Sequence, residues 1–109
     1  MKKSNIFVHI ELSKLVSGLS TDTALIKDYL KSQAGYFNII SSKYFSDELS
    51  DEWEQICSQM KDKGPKTDSE GNIIASSVIN TIEHISVAQC VLLVTRIKNL
   101  QQKVKEEFE

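Results

Sequence analysis

The sequence predicts an all-α protein, a four-helix up-and-down bundle with a fifth short helix or a kinked last helix as its variant. Two apolar stripes and the short connections between helical stretches point to this class. Cys90, Val94, Ile97, Gln101, Val104 and Phe108 lie alternately four and three residues apart within Ser86–Glu109, a stretch free of Gly and Pro, so they share one face of a long helix. Ile26, Leu30, Gln33, Phe37, Ile40 and Tyr44 repeat the pattern earlier in the chain. Helices joined by short connections pack antiparallel, which gives the up-and-down arrangement. With 109 residues, 40% apolar and 26% charged, the chain fits a single helical domain, residues 1–109, around one core.

The first segment carries two periods. Ile6, Val8, Ile10 and Leu12 alternate as in a strand, whereas Val8, Leu12, Leu15, Val16 and Leu19 repeat as in a helix. The longer series selects a helix over Asn5–Ser17, with Gly18 at its C-terminal cap. Ser20, Thr21 and Asp22 supply capping oxygens for the second helix, Ile26 to Tyr44, and Gly35, about 1 kcal/mol poorer than Ala in a helix, marks a kink or break within it.

The polar interval Ser46–Ser50 precedes a third helix, which opens on the acidic turn Asp51-Glu52-Trp53-Glu54 and ends near Lys63, before Gly64-Pro65. Trp53, Ile56, Cys57 and Met60 form its apolar face. Lys66–Asn72 reads as a loop, after which Ile74, Val78, Ile82 and Ile85 mark a fourth helix to about His84. Ser86 and Gln89 form a capping box for the last helix, roughly 22 residues and ~33 Å long, behind either a bend or a true break at Ser86. The two stripes are expected to form the central helix pair, with the first and third helices covering them; if Gln33 and Gln101, the polar interruptions of the two stripes, face each other, a hydrogen bond between them fixes the register.

Charge and motif content narrow the function. Thirteen basic and fifteen acidic residues give a net charge of −2, and Arg96, Lys98, Lys103 and Lys105 are followed at once by Glu106 and Glu107, a mixed pattern that disfavours nucleic acid as a partner. The apolar run Val91–Val94 is too short to cross a bilayer, so no membrane partner is expected. His9 and Glu11 break what would be the apolar region of a signal peptide, so a cytoplasmic location is expected, with Cys57 and Cys90 as free thiols at core-facing positions. His9, His84, Cys57 and Cys90 do not pair at helical ligand spacing, so neither a metal nor another cofactor is expected. Aligning Gly71 with the glycine of a calcium loop puts Lys66 and Ser77 at the first and last ligand positions, and the match fails. Nucleotide-binding, metalloprotease and serine-hydrolase motifs are missing, and no catalytic residue is assigned.

Tyr29, Tyr36, Phe37, Tyr44, Phe45 and Trp53 cluster in sequence, and the adjacent pairs Tyr36-Phe37 and Tyr44-Phe45 cannot both face one side of a helix. One member of each pair turns toward the third helix and the loop, or toward a partner. The expected function is a non-catalytic helical protein-interaction or self-association module, such as a small bacterial regulatory, immunity or accessory protein. One alternative is a small-ligand-binding protein or enzyme with an aromatic pocket lined by Tyr36, Tyr44, Trp53 and His84, which are also the candidate partner contacts. Another is a nucleic-acid-associated regulator whose Lys and Arg gather on one face. Val104 and Phe108, at the far end of the last helix, are the candidate interface with a protein partner or with a second copy in a homodimer.

Overall fold

The computed structural model describes residues 3–109. In chain order these form α1 (Ile6–Ser17), α2 (Ile26–Ser32), α3 (Tyr36–Ile39), a 3-10 turn (Ser42–Tyr44), α4 (Asp47–Met60), β1 (Lys66–Thr67), β2 (Ile73–Ala75), α5 (Ser77–His84) and α6 (Val87–Glu107). Helix accounts for 64% of the described residues, so the helical class holds, but six α-helices and a two-stranded hairpin among them replace the expected set of four long helices.

Helix α6 is the centre. Ser86 caps it: its Oγ accepts from the Gln89 N–H, and the Gln89 side chain accepts from the Ser86 N–H. Ile85 is extended, so α5 and α6 are separated by a true break. The 21 residues of α6 span about 32 Å. Cys90, Leu93, Val94, Ile97, Leu100 and Val104 are buried along it, each contributing on the order of 1.5–3 kcal/mol of transfer free energy for the larger side chains.

Helix α1 lies antiparallel on one side of α6, with Gln101 Nε2 donating to Ser13 Oγ at 3.2 Å and His9 stacked on Phe108. Asn5 caps α1 by accepting the Val8 N–H, and Gly18 closes it on the Leu15 and Val16 carbonyls. Helix α4 lies antiparallel on the other side, tied through Arg96 to Glu52. The expected central pair is therefore not formed: α2 packs across α5 and α6, while α1 and α4 flank α6 most extensively. Gln33 does not meet Gln101 either. It bonds Ser32 and covers Gly18, where an added Cβ would collide with the Gln33 amide.

The expected second helix is interrupted twice, at residues 33–35 between α2 and α3 and again after Ile40, and the second interruption has an identifiable reason. In a continuous helix the Ile40 carbonyl would accept from the Tyr44 N–H; here the buried Trp53 indole N–H takes it at 2.9 Å. Trp53 is stacked between Phe37 and Phe45, at 5.7 and 5.5 Å between ring centroids, and α3 and the 3-10 turn wrap around it. Ile26, Leu30, Phe37 and Ile40 are still the buried residues of this region, although they no longer share one helix.

Helix α4 begins four residues earlier than the acidic turn suggests, and Leu49 joins Trp53, Ile56 and Met60 on its buried face. Ser46, at its N-cap, makes no side-chain cap; it is buried, and its N–H donates to Ser4 Oγ at 3.1 Å. The Ser4 N–H in turn donates to Glu107 Oε1 at 2.9 Å, so three distant segments meet at one carboxylate. Burial pushes Glu107 up, but the Ser4 N–H, the nearby Ser46 and Ser4 hydroxyls and Lys3 outweigh it and hold the carboxyl below its usual value.

Of the expected loop Lys66–Asn72, the first two residues form β1 and the rest is the tip of a hairpin, and Ile74 is in a strand, not in the fourth helix. Antiparallel β1 and β2 enclose a turn in which Asp68 Oδ1 accepts the N–H groups of Glu70 and Asn72. Helix α5 starts at Ser77 behind the cap Ser76, and holds the chain leaving α4: Thr81 Oγ1 accepts the Lys63 N–H, and Asn80 Nδ2 donates to the Gly64 carbonyl.

Candidate functional site

The residues singled out for an aromatic pocket are dispersed. Trp53 is buried in its aromatic stack. Tyr36 is half-buried on α3, and Tyr44 is half-buried at the end of the 3-10 turn, edge-on to Phe7. His84 is exposed at the end of α5, where Nδ1 lies 2.7 Å from the Asn80 carbonyl oxygen. A shallow cleft of about 410 Å³ between α3 and α4 takes in Trp53 together with Phe37, Ser42, Glu54, Cys57 and Lys61, but not Tyr36, Tyr44 or His84. Its thiol is poorly suited to nucleophilic work, because burial pushes Cys57 up to about 11. Cys57 is half-buried, not fully buried as its core-facing position implied, whereas Cys90 is enclosed.

A second cleft, about 330 Å³, lies where Ile85 and α6 face the end of α4. Leu92 stands at its mouth, 65% exposed. The polar groups in its walls are mostly committed to one another: Gln89 belongs to the α6 cap, and Arg96 bonds Gln59 at 2.9 Å and Glu52 at 2.8 and 3.1 Å. Few are left to orient a ligand. Among the described residues there is no cluster of three potential metal ligands, and no helix is long and apolar enough to cross a membrane.

The interface expected at the end of α6 is half displaced. Val104 is 1% exposed and belongs to the core, so it offers no contact surface. The cause is that α1 extends alongside the end of α6, where Ser4 reaches Glu107. Phe108 is partly exposed and stacks on His9, with ring centroids 4.8 Å apart.

Phe108 instead forms one end of an apolar band that crosses the outside of α1. Val8, Leu12 and Leu15 face the core, and the helical period puts Ile6 and Ile10 on the opposite side, one turn apart. These isoleucines are 57% and 45% exposed. Phe7 lies between them and Tyr44, with its ring 5.7 Å from the tyrosine ring in an edge-to-face contact. Running from Phe108 and His9 across Ile6 and Ile10 to Phe7 and Tyr44, the band draws on three elements. Ile73 and Ile74 are also exposed, but as neighbours in a strand they point to opposite faces and make no common surface.

Sequence reasoning named Tyr44 and Phe108 but missed Ile6, Phe7 and Ile10. The available signal was surplus: Ile6, Phe7, Val8, Ile10, Leu12, Leu15 and Val16 are more apolar residues than one face of a 12-residue helix can bury. Lysines rim the band, with Lys3 Nζ 6.0 Å from the Phe108 ring centroid and Lys43 Nζ 5.4 Å from that of Tyr44. The acidic surface lies elsewhere, on the outer side of α4. No family model, curated protein or solved structure matches the chain, so its functional reading rests on these surfaces.

Proposed function

We propose that this chain is a non-catalytic helical protein-interaction module whose contact surface is the outer face of α1, flanked by Tyr44 and Phe108. One observation carries the reading. Two isoleucines opposite the core face of α1 stay in water although they adjoin aromatic pairs on both sides, an arrangement that removes no apolar area until another molecule covers it. The scattering of Tyr36, Tyr44, Trp53 and His84 gives the ligand-pocket alternative no comparable support. A small regulatory, immunity or accessory protein working by occupancy of this face needs no reacting group.

Two measurements test the proposal. The first is solution mass against concentration. The second is photo-crosslinking in extract of the native cell, with the crosslinker placed at Ile10 and, separately, at Glu48 on α4. A defined adduct or dimer formed from Ile10 but not from Glu48 supports the reading; a strict monomer with no adduct, or the same adducts from both positions, rejects it.

A further inference from the structure

We propose that Ser4, Asn5, Ser46 and Glu107 form a proton-sensitive clasp that keeps Tyr44 and Phe108 on either side of α1 and opens when Glu107 takes up a proton. The clasp is a property of the fold and stands whether or not the band around α1 is a contact face. Three backbone N–H groups mark it. The Ser4 N–H donates to Glu107 Oε1 at 2.9 Å, the Asn5 N–H to the Tyr44 carbonyl at 2.9 Å, and the Ser46 N–H to Ser4 Oγ at 3.1 Å. Residues 4 and 5 thus tie the end of α6, next to Phe108, to the 3-10 turn that ends in Tyr44. Ser4 and Ser46 are 3% and 2% exposed, so water offers their polar groups no ready substitute.

Glu107 is the ionisable member of the four. An ionised carboxylate only accepts, which suits a place where the Ser4 N–H meets it and the Ser4 and Ser46 hydroxyls lie beside it. Protonation removes an acceptor, adds an O–H that needs a partner of its own, and turns a charge-assisted bond into one about half as strong. Charged groups face this carboxylate from each element packed around it. Lys3 comes from the N-terminal segment and favours the ionised form. Lys103 and Glu106 of α6 and Glu48 of α4 line a cleft of about 290 Å³ with it. Asp47 adjoins Ser46 at the start of α4, and His9 of α1 stacks on Phe108, the residue after Glu107. Burial raises the Glu107 carboxyl, but the Ser4 N–H, the two hydroxyls and Lys3 more than offset it, so its folded-state value lies below 4.5. The clasp is therefore fully closed above 4.5 and loses its hold as the pH falls through that folded-state value. Once it opens, the segment before α1 is free to leave Tyr44, and Phe108 is free to leave His9.

The test follows backbone amide exchange by NMR in the full chain and in Glu107→Gln, which has the shape of the protonated acid and cannot ionise. At neutral pH the variant should exchange the Asn5 and Ser46 amides about fivefold faster than the native chain, while Ile97 and Leu100, within α6, keep their protection. In the native chain, after correction for the intrinsic exchange rate, protection of Asn5 and Ser46 should fall in step with protonation of Glu107, read from its carboxyl carbon shift. In the variant it should stay flat over the same range. Equal protection of Asn5 and Ser46 in the two proteins at neutral pH overturns the clasp. A pH dependence that persists in Glu107→Gln assigns the opening to Asp47, Glu48 or Glu106 and overturns the role given to Glu107. Loss of protection at Ile97 and Leu100 together with Asn5 and Ser46 means that the whole fold opens, and overturns it too.

Discussion

Arg96 is the side chain whose removal tells most about how α4 is held to α6. Its guanidinium makes two bonds to Glu52 and one each to Gln55 and Gln59, residues three, four and seven apart that form one stripe on α4. In Arg96→Met the aliphatic stem keeps much of its packing while these bonds are lost. The bidentate pair is about a third exposed, with side-chain exposures of 27% and 34%, and contributes about 1 kcal/mol. The two glutamine bonds, facing solvent, add about 0.5 kcal/mol each. The expected loss near neutral pH is therefore about 2 kcal/mol, read in urea as a midpoint lower by roughly 1 M.

The pH dependence separates the two parts of this loss. The hydrogen bonds from Arg96 hold the Glu52 carboxyl below its ordinary value of 4.5, with burial opposing them. A depressed folded-state value means that the pair stabilises the protein fully above 4.5 and that this contribution is lost as the pH falls through the folded-state value. The gap between the native chain and Arg96→Met should thus narrow to about 1 kcal/mol once the pH is below the folded-state value of Glu52, and a double-mutant cycle with Glu52→Gln should give a coupling of about 1 kcal/mol at neutral pH. A coupling below about 0.3 kcal/mol, or a gap that does not change with pH, would refute the account of how these helices are joined.

Three further outcomes follow from single contacts. Trp53→Phe should cost about 2–3 kcal/mol in denaturant unfolding, because the buried Ile40 carbonyl loses its donor and the stack with Phe37 and Phe45 loses volume; a loss under about 1 kcal/mol with a gain in helical ellipticity would mean that the Tyr44 N–H had reclaimed that carbonyl. Gly64→Ala should cost about 1 kcal/mol from backbone strain alone, since φ is +65° there and a Cβ meets nothing within 4 Å; an unchanged midpoint would count against the left-handed turn. With the Cys57 thiol at about 11 and Cys90 enclosed, a disulfide reagent at mildly alkaline pH should label native Cys57 at least about a hundredfold more slowly than free cysteine, and Cys90 only on unfolding; rapid labelling of either would contradict their burial.

The end of α1 and the start of α6 were legible because their caps are local chemistry: Gly18 for one, Ser86 with Gln89 for the other. The break at Gly35 was visible in the sequence, whereas the second interruption, after Ile40, was not, because its deciding partner is Trp53, distant in sequence and brought in by tertiary packing. The start of α4 was misread because Asp47-Glu48 and Asp51-Glu52 offer the same helix-opening chemistry twice, and Leu49 alone favours the earlier one. Ile74 matched the helical period of Val78 and Ile82 by coincidence; the turn chemistry of Asp68 and Gly71 was the better guide. Of the candidate surface, Tyr44 was readable as a surplus aromatic and Phe108 as the far end of the last helix's stripe, but their union with Ile6 and Ile10 depends on α1 lying between them, which periodicity does not encode.

The meeting of Ser4, Ser46 and Glu107 bears on the order in which the chain folds. Ser4 and Glu107 are 103 positions apart, and Ser46 joins them from the middle, so the contact closes two long loops at once and its entropic demand falls due before its few hydrogen bonds form. Local helices and the α4–α6 contact can assemble without it. It belongs to the last steps of folding, and Glu107→Gln should speed unfolding while leaving the refolding rate nearly unchanged in a stopped-flow chevron; a slowed refolding limb would place the junction in the nucleus instead. On this account the junction acts chiefly on how long the native state lasts, and only weakly on how quickly it is reached.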